Sequence, residues 1–172
     1  MIFTPRRMQL YTWIRRLRLV RYIHPMVPAA RRRRAQFRDT QEMFDRYRTA
    51  RVFREIDDDN LRAYIDGLIV PAAGGVELAF PPAWEARIYE TGPFNLWPHL
   101  SLLRPPLLAI RAAETNAFEP GAVQALRQRL PNATIHQLKT GTHLVPLEQP
   151  TQIANLIHAF AQQHLPIPAS SL

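Results

Sequence analysis

The apolar positions divide the chain into two stretches of different character. From Pro5 to Ile23, Leu10, Trp13, Ile14, Leu17 and Val20 recur at intervals of three and four, the stripe of an amphipathic helix with arginines on its other side. Pro25 and Pro28 end it, because proline removes a backbone donor and disfavours helix in the residue before it. Arg31 to Arg34 are expected on a short exposed helix reaching Phe37. Thr40 reads as the N-cap of a helix with Met43, Phe44 and Tyr47 on one face. The Asp57-Asp58-Asp59 run suits the positive end of a further helix, whose buried stripe is Leu61, Tyr64, Ile65 and Leu68 before Gly67 and Pro71 close it. Consecutive acids fan out around a helix and do not converge, so capping explains them better than metal binding. Gly74-Gly75 makes a turn, and Val76 to Phe80 alternates as a short strand.

The last third is different. Leu107-Leu108-Ala109-Ile110 is a short continuous apolar run, as in a strand covered on both faces. Pro120 stands where a first helical residue belongs, with Val123, Leu126 and Leu130 as the stripe. Ala133 to Leu138 reads as a second strand, and the loop Thr140 to Pro146 follows. Pro150 opens a final helix with Ile153, Leu156, Ile157 and Phe160 inward. Strand, helix, strand, helix is the order of a parallel sheet, so the fold class is α/β.

Composition narrows the chemistry. The 172 residues contain no cysteine, which removes disulfides, thiolate metal sites and a cysteine nucleophile together and fits a reducing, cytoplasmic setting. Half of the 22 basic residues precede Asp39, and no acidic residue does. Arg15, Arg16, Arg18 and Arg21 break any secretory h-region, and no window is apolar for the ~20 residues a membrane span requires. Clustered arginines without acids also suit a transit peptide, anionic lipid or nucleic acid, although genomic base composition accounts for much of the arginine.

Three segments, Pro105 to Arg111, Leu130 to Ala133, and Gly141-Thr142-His143-Leu144-Val145-Pro146-Leu147-Glu148-Gln149-Pro150, resemble the closing strands of α/β-hydrolases, in which the triad histidine follows the last strand. Gly75-Val76-Glu77-Leu78 with Pro81 to Ala86 is similar to the end of the cap in esterase-like members. The resemblance implies a partial α/β-hydrolase fold: a helical cap over residues 1–98, then residues 99–172 as the end of the core, two parallel strands each followed by a helix. It implies His143 as the catalytic base. The acid is expected three or four positions after a glycine that is Ala112 here, and that register falls on Thr115 or Asn116, which carry no charge. Glu114 beside them is the candidate that remains. Glu148 belongs to the approach to the last helix, and His24, His99, His136, His158 and His164 read as surface or packing residues. Tyr11, Trp13, Tyr22, Phe44, Tyr47 and Phe53 either line an acyl pocket or form core.

The nucleophile is the missing part. A Gly-x-Ser-x-Gly elbow needs two glycines four apart, and those at 67, 74, 75, 92, 121 and 141 offer no such pair. Serine occurs only at 101, 170 and 171. The expectation is a truncated esterase-like hydrolase that is inactive alone, needs no cofactor or metal, acts on a small-molecule substrate only if completed by an N-terminal half, and self-associates through an unpaired sheet edge. The alternative is a noncatalytic module that docks its arginine-rich helices on anionic lipid or nucleic acid.

Overall fold

The computed structural model describes residues 2–17, 19–91 and 95–164, so Arg18, Ser170 and Ser171 lie outside the described residues. The chain forms two compact units: residues 5–95, and residues 1–4 with 96–172.

The first unit is mainly helical. α1 (Pro5–Arg16), α2 (Val20–Ile23) and α3 (Met26–Arg31) come first, then β1 (Gln36–Phe37), α4 (Thr40–Arg48), a 3-10 turn (Arg51–Phe53), α5 (Asp58–Asp66), the hairpin β2 (Ile69–Ala72) and β3 (Gly75–Leu78), and α6 (Pro82–Thr91). α3 packs along α6, and α4 along α5. Val20, Val27, Met43, Ile56, Leu61 and Ile65 are its fully buried large side chains.

Several expectations are corrected here. The single helix of residues 5–23 is two, and Leu10, Trp13 and Leu17 face solvent. Pro28 does not stop a helix but lies in the first turn of α3, where the donor that proline lacks has no intrahelical partner. Arg32 to Arg34 are not helical, and Phe37 is buried on β1. The cap of α4 is Asp39, one residue before Thr40: its carboxylate accepts from the Glu42 amide at 2.7 Å. Asp57 caps α5 in the same way as expected, accepting from the Asn60 amide at 2.7 Å, and Leu61 and Ile65 are buried beneath it. Pro71 does not follow α5 as a mere stop but lies in β2, an edge strand of the antiparallel sheet β1-β3-β2, where a missing donor is tolerated. At Gly75 a Cβ would come within 2.2 Å of the Phe37 carbonyl oxygen, so β1 approaches as closely as it does only because this residue is glycine. Phe44 and Tyr47 are core, whereas Trp13 and Tyr22 are exposed.

The second unit carries a 3-10 turn (Trp97–Leu102), β4 (Leu108–Arg111), α7 (Pro120–Arg129), β5 (Thr134–Gln137), α8 (Val145–Glu148) and α9 (Pro150–His164). β4 and β5 pair in parallel, with Leu108 opposite Thr134 and Arg111 opposite Gln137. The mixed α/β class and the two parallel strands, each followed by a helix, agree with the sequence reading. α7 buries Ala122, Val123, Ala125 and Leu126, and α9 sets Ile153 against Ala112, Val145, Ile110 and Leu138. Ile157, expected inward, is exposed. Residues 2–4 run beside the loop after β4: the Ile2 amide donates to the Ala117 carbonyl, and the Trp97 indole donates to the Phe3 carbonyl at 2.9 Å. Among the described residues no strand pairs with the edge of β4 that faces away from β5, and no helix is long and apolar enough to cross a membrane.

Candidate functional site

The second unit places its distinctive loop beyond the carboxyl ends of its parallel strands, the end where open α/β sheets bind ligands. The loops leaving β4 and β5 are joined by backbone bonds, from the Leu138 amide to the Arg111 carbonyl (2.8 Å), from Ala113 to Thr140 (3.4 Å) and from Glu114 to Gly141 (3.0 Å). These bonds fix the start of the histidine loop against the loop that bears the candidate acid.

Gly141 then turns the chain with a φ of 90°, a conformation costly to any residue with a Cβ. A Cβ there would also meet Val145 Cγ2 at 2.7 Å. Thr142, the next residue, is clamped by Glu148. Its amide donates to Glu148 Oε2 at 2.7 Å, its hydroxyl donates to Glu148 Oε1, and its Oγ1 accepts from the Leu144 amide at 3.2 Å. A carboxylate that receives an amide and a hydroxyl from one residue fixes that residue's backbone more firmly than a neutral acceptor would. Glu148 therefore braces the residue immediately before His143, a part its position near the last helix did not reveal. A carboxylate five residues after the histidine, at the end of a one-turn helix, was the available signal.

His143 is exposed and lines a cavity of about 320 Å³ together with Ile2, Ile110, Thr115, Phe118 and Pro146. The lining is mostly apolar, which suits an acyl or similarly hydrophobic group. The structure brings His143 and Glu114 onto adjoining, backbone-linked loops, but Thr115, and not Glu114, lines the cavity. Glu114 is exposed. Thr115 Oγ1 accepts from the Ala117 amide at 3.1 Å, and among the described residues no side chain bonds the His143 imidazole. No group of three or more His, Asp or Glu side chains converges on a metal-sized space among the described residues.

Of the other histidines, His24 in the helical unit is buried. Its ring stacks on Tyr89 at 5.4 Å, its Nδ1 accepts from the Met26 amide at 3.3 Å, and burial lowers its pKa. His136 lies within β5, and His164, which ends α9, is exposed.

No protein-family model matches the chain, and no curated protein sequence matches it. Solved structures do. An E-2-(acetamidomethylene)succinate hydrolase superposes with a TM-score of 0.67 at 18% identity, over 79% of this chain and 52% of that one. A peroxisomal α/β-hydrolase from Saccharomyces cerevisiae gives 0.66 at 21% identity, over 86% and 42%. An esterase from M. tuberculosis gives 0.62 at 19% identity, over 93% and 52%. The chain spans about half the length of these proteins, and what it has is the fold of part of an α/β-hydrolase.

Proposed function

We propose that this chain carries the proton-transfer end of a serine ester-type hydrolase, with the helical unit of residues 5–95 as the cap and the unit that begins again at Leu96 as the closing part of the core, and that it turns over no ester by itself. The observation that carries this reading is His143, on a braced loop beyond the strand ends, lining a mostly apolar cavity in which, among the described residues, no hydroxyl is hydrogen-bonded to its ring. Acyl transfer needs a nucleophile whose proton the imidazole accepts and later returns to the leaving group. Thr142 donates its hydroxyl proton to Glu148, and Thr115, whose Oγ1 accepts from the Ala117 amide, makes no hydrogen bond to the ring among the described residues. Glu114 is the carboxylate we assign to steadying the imidazolium, its loop shifting to bring it in once a nucleophile-bearing segment is present. The substrate class is a small ester with an apolar acyl group.

The purified chain should show no turnover of short p-nitrophenyl esters above buffer, and His143→Ala should leave that blank unchanged. Mixed with a separately made segment carrying a Gly-x-Ser-x-Gly elbow from a structural neighbour, it should gain ester cleavage that His143→Ala abolishes. Robust cleavage by the chain alone, lost in His143→Ala, would overturn the reading. A second role, noncatalytic docking through the arginine-rich helices, is favoured by the exposure of α1.

A further inference from the structure

α1 contributes almost nothing to the core, since Met8 is its one buried side chain. Leu10, Trp13 and Leu17 are 59%, 63% and 65% exposed, and at 3.6 residues per turn they fall within roughly 60° of one another around the helix axis. The Leu17 amide still donates to the Trp13 carbonyl at 3.1 Å, so the helical spacing holds to the end of the stripe. Arg6 stands in the same arc one turn earlier. Arg16 borders the stripe with its guanidinium 5.6 Å from the centre of the Trp13 ring.

The charged residues of the helix that carries this stripe are all arginines. No acidic residue precedes Asp39. Arg31, Arg33, Arg34 and Arg38 are each neutralised by a carboxylate, whereas among the described residues Arg6 and Arg16 have no carboxylate partner. α6 provides the contrast: it too exposes an apolar stripe, Trp84 and Ile88 following Phe80, but its arginine, Arg87, is paired with Glu90 at 3.3 Å. An uncharged apolar stripe fits an apolar protein face. One framed by unpaired guanidinium groups fits a surface that is anionic outside and apolar just beneath. Nucleic acid offers phosphates to the arginines and a base to Trp13, but no apolar phase in which Leu10 and Leu17 would be dehydrated.

We propose that α1 is an interfacial anchor lying in the plane of an anionic lipid surface. Leu10, Trp13 and Leu17 enter the boundary between headgroups and acyl chains, where tryptophan is favoured, and Arg6 and Arg16 meet the lipid phosphates. The proposal rests on the docking reading, for which it names the partner, and is independent of the chemistry at His143.

The test is co-sedimentation of the full chain with phosphatidylcholine vesicles, with and without added phosphatidylglycerol. Partitioning should be about ten-fold or more stronger on the anionic vesicles, should fall steeply with salt, and should shift tryptophan emission to the blue in a way that Trp13→Phe removes. The double variant Leu10→Ser, Leu17→Ser should keep the wild-type Tm, because both side chains are exposed, and lose about ten-fold or more in partitioning. Arg6→Gln with Arg16→Gln should lose a similar factor and flatten the salt dependence.

Equal partitioning on the two vesicle types, or undiminished binding by the leucine variant, overturns the anchor. An oligonucleotide bound more tightly than the anionic vesicles and indifferent to the leucine changes would transfer the docking role to nucleic acid. A dimer that the leucine changes dissociate, without vesicle binding, would give the stripe to a second copy. Binding to none of these sinks the docking reading as a whole and leaves the hydrolase reading standing.

Discussion

Gly141 and His24 show what single positions contribute. At Gly141 the left-handed turn and the methyl of Val145 both oppose a Cβ, so Gly141→Ala should lower the unfolding free energy by about 1–3 kcal/mol, read by urea denaturation. His24 gives a pH dependence of definite sign. Its pKa is lowered by burial in the folded chain, so as pH falls through the ordinary value of about 6.5 the unfolded chain takes up the proton first. The contribution of His24 is fully present above that pH and declines below it, until the buried ring itself protonates. Melting temperature followed from pH 8 down to pH 5 should show this decline, and His24→Gln should reduce it. Neither residue was singled out by its type. Glycine at 141 was legible as part of a loop motif, but a histidine becomes a buried acceptor only through its neighbours, here Tyr89 and the Met26 amide, which are set by tertiary folding.

At the scale of the element, the signals that survived are those carried by local chemistry. Asp57 caps α5 through the Asn60 amide, and its other oxygen accepts from the Asn60 side chain at 2.6 Å. Asp57→Ala should therefore cost about 1 kcal/mol, measurable as a fall in Tm without loss of secondary structure. β4 was readable because a short apolar run after a proline pair leaves few alternatives, whereas β5, which is largely polar, was readable from its place between the Pro131-Asn132 stop and the Gly141 loop. The turn at Gly74-Gly75 was legible, but Pro71 was read as the stop of the preceding helix, and only the sheet order reveals that it lies in an edge strand. α6 was not read as a helix, although Pro82 stands at its first position, where proline is well suited. The failure on α1 is of another kind: the spacing of its apolar residues was right, but periodicity tells which residues share a face and not whether that face is covered. At the candidate site, His143 was legible from the motif, while the Glu148 brace depends on the fold of the loop, and Thr115 was named only as a residue without charge.

For the whole molecule, the organisation into two units follows from chain topology as much as from composition. The second unit is built from both ends of the chain, its short leading segment held by the Phe3 carbonyl at the Trp97 indole and by the Thr4 amide at Glu119 Oε2, 3.0 Å apart. The side of β4 opposite β5 lacks a strand among the described residues, which agrees with a chain spanning about half of its structural neighbours. An open edge of this sort accepts further strands, and under the function proposed above it is where a complementing segment would pair.

The contact between Phe3 and Trp97 has a wider meaning. The backbone departs from the histidine-bearing unit just after Thr4 and comes back at Leu96, and the indole hydrogen bond keeps those two points side by side. Everything spliced in between therefore leaves and re-enters that unit through two neighbouring covalent joints. Such an insertion can lengthen, shorten or be exchanged over generations without shifting the two ends at which it joins the histidine-bearing unit, so the two units can diverge separately.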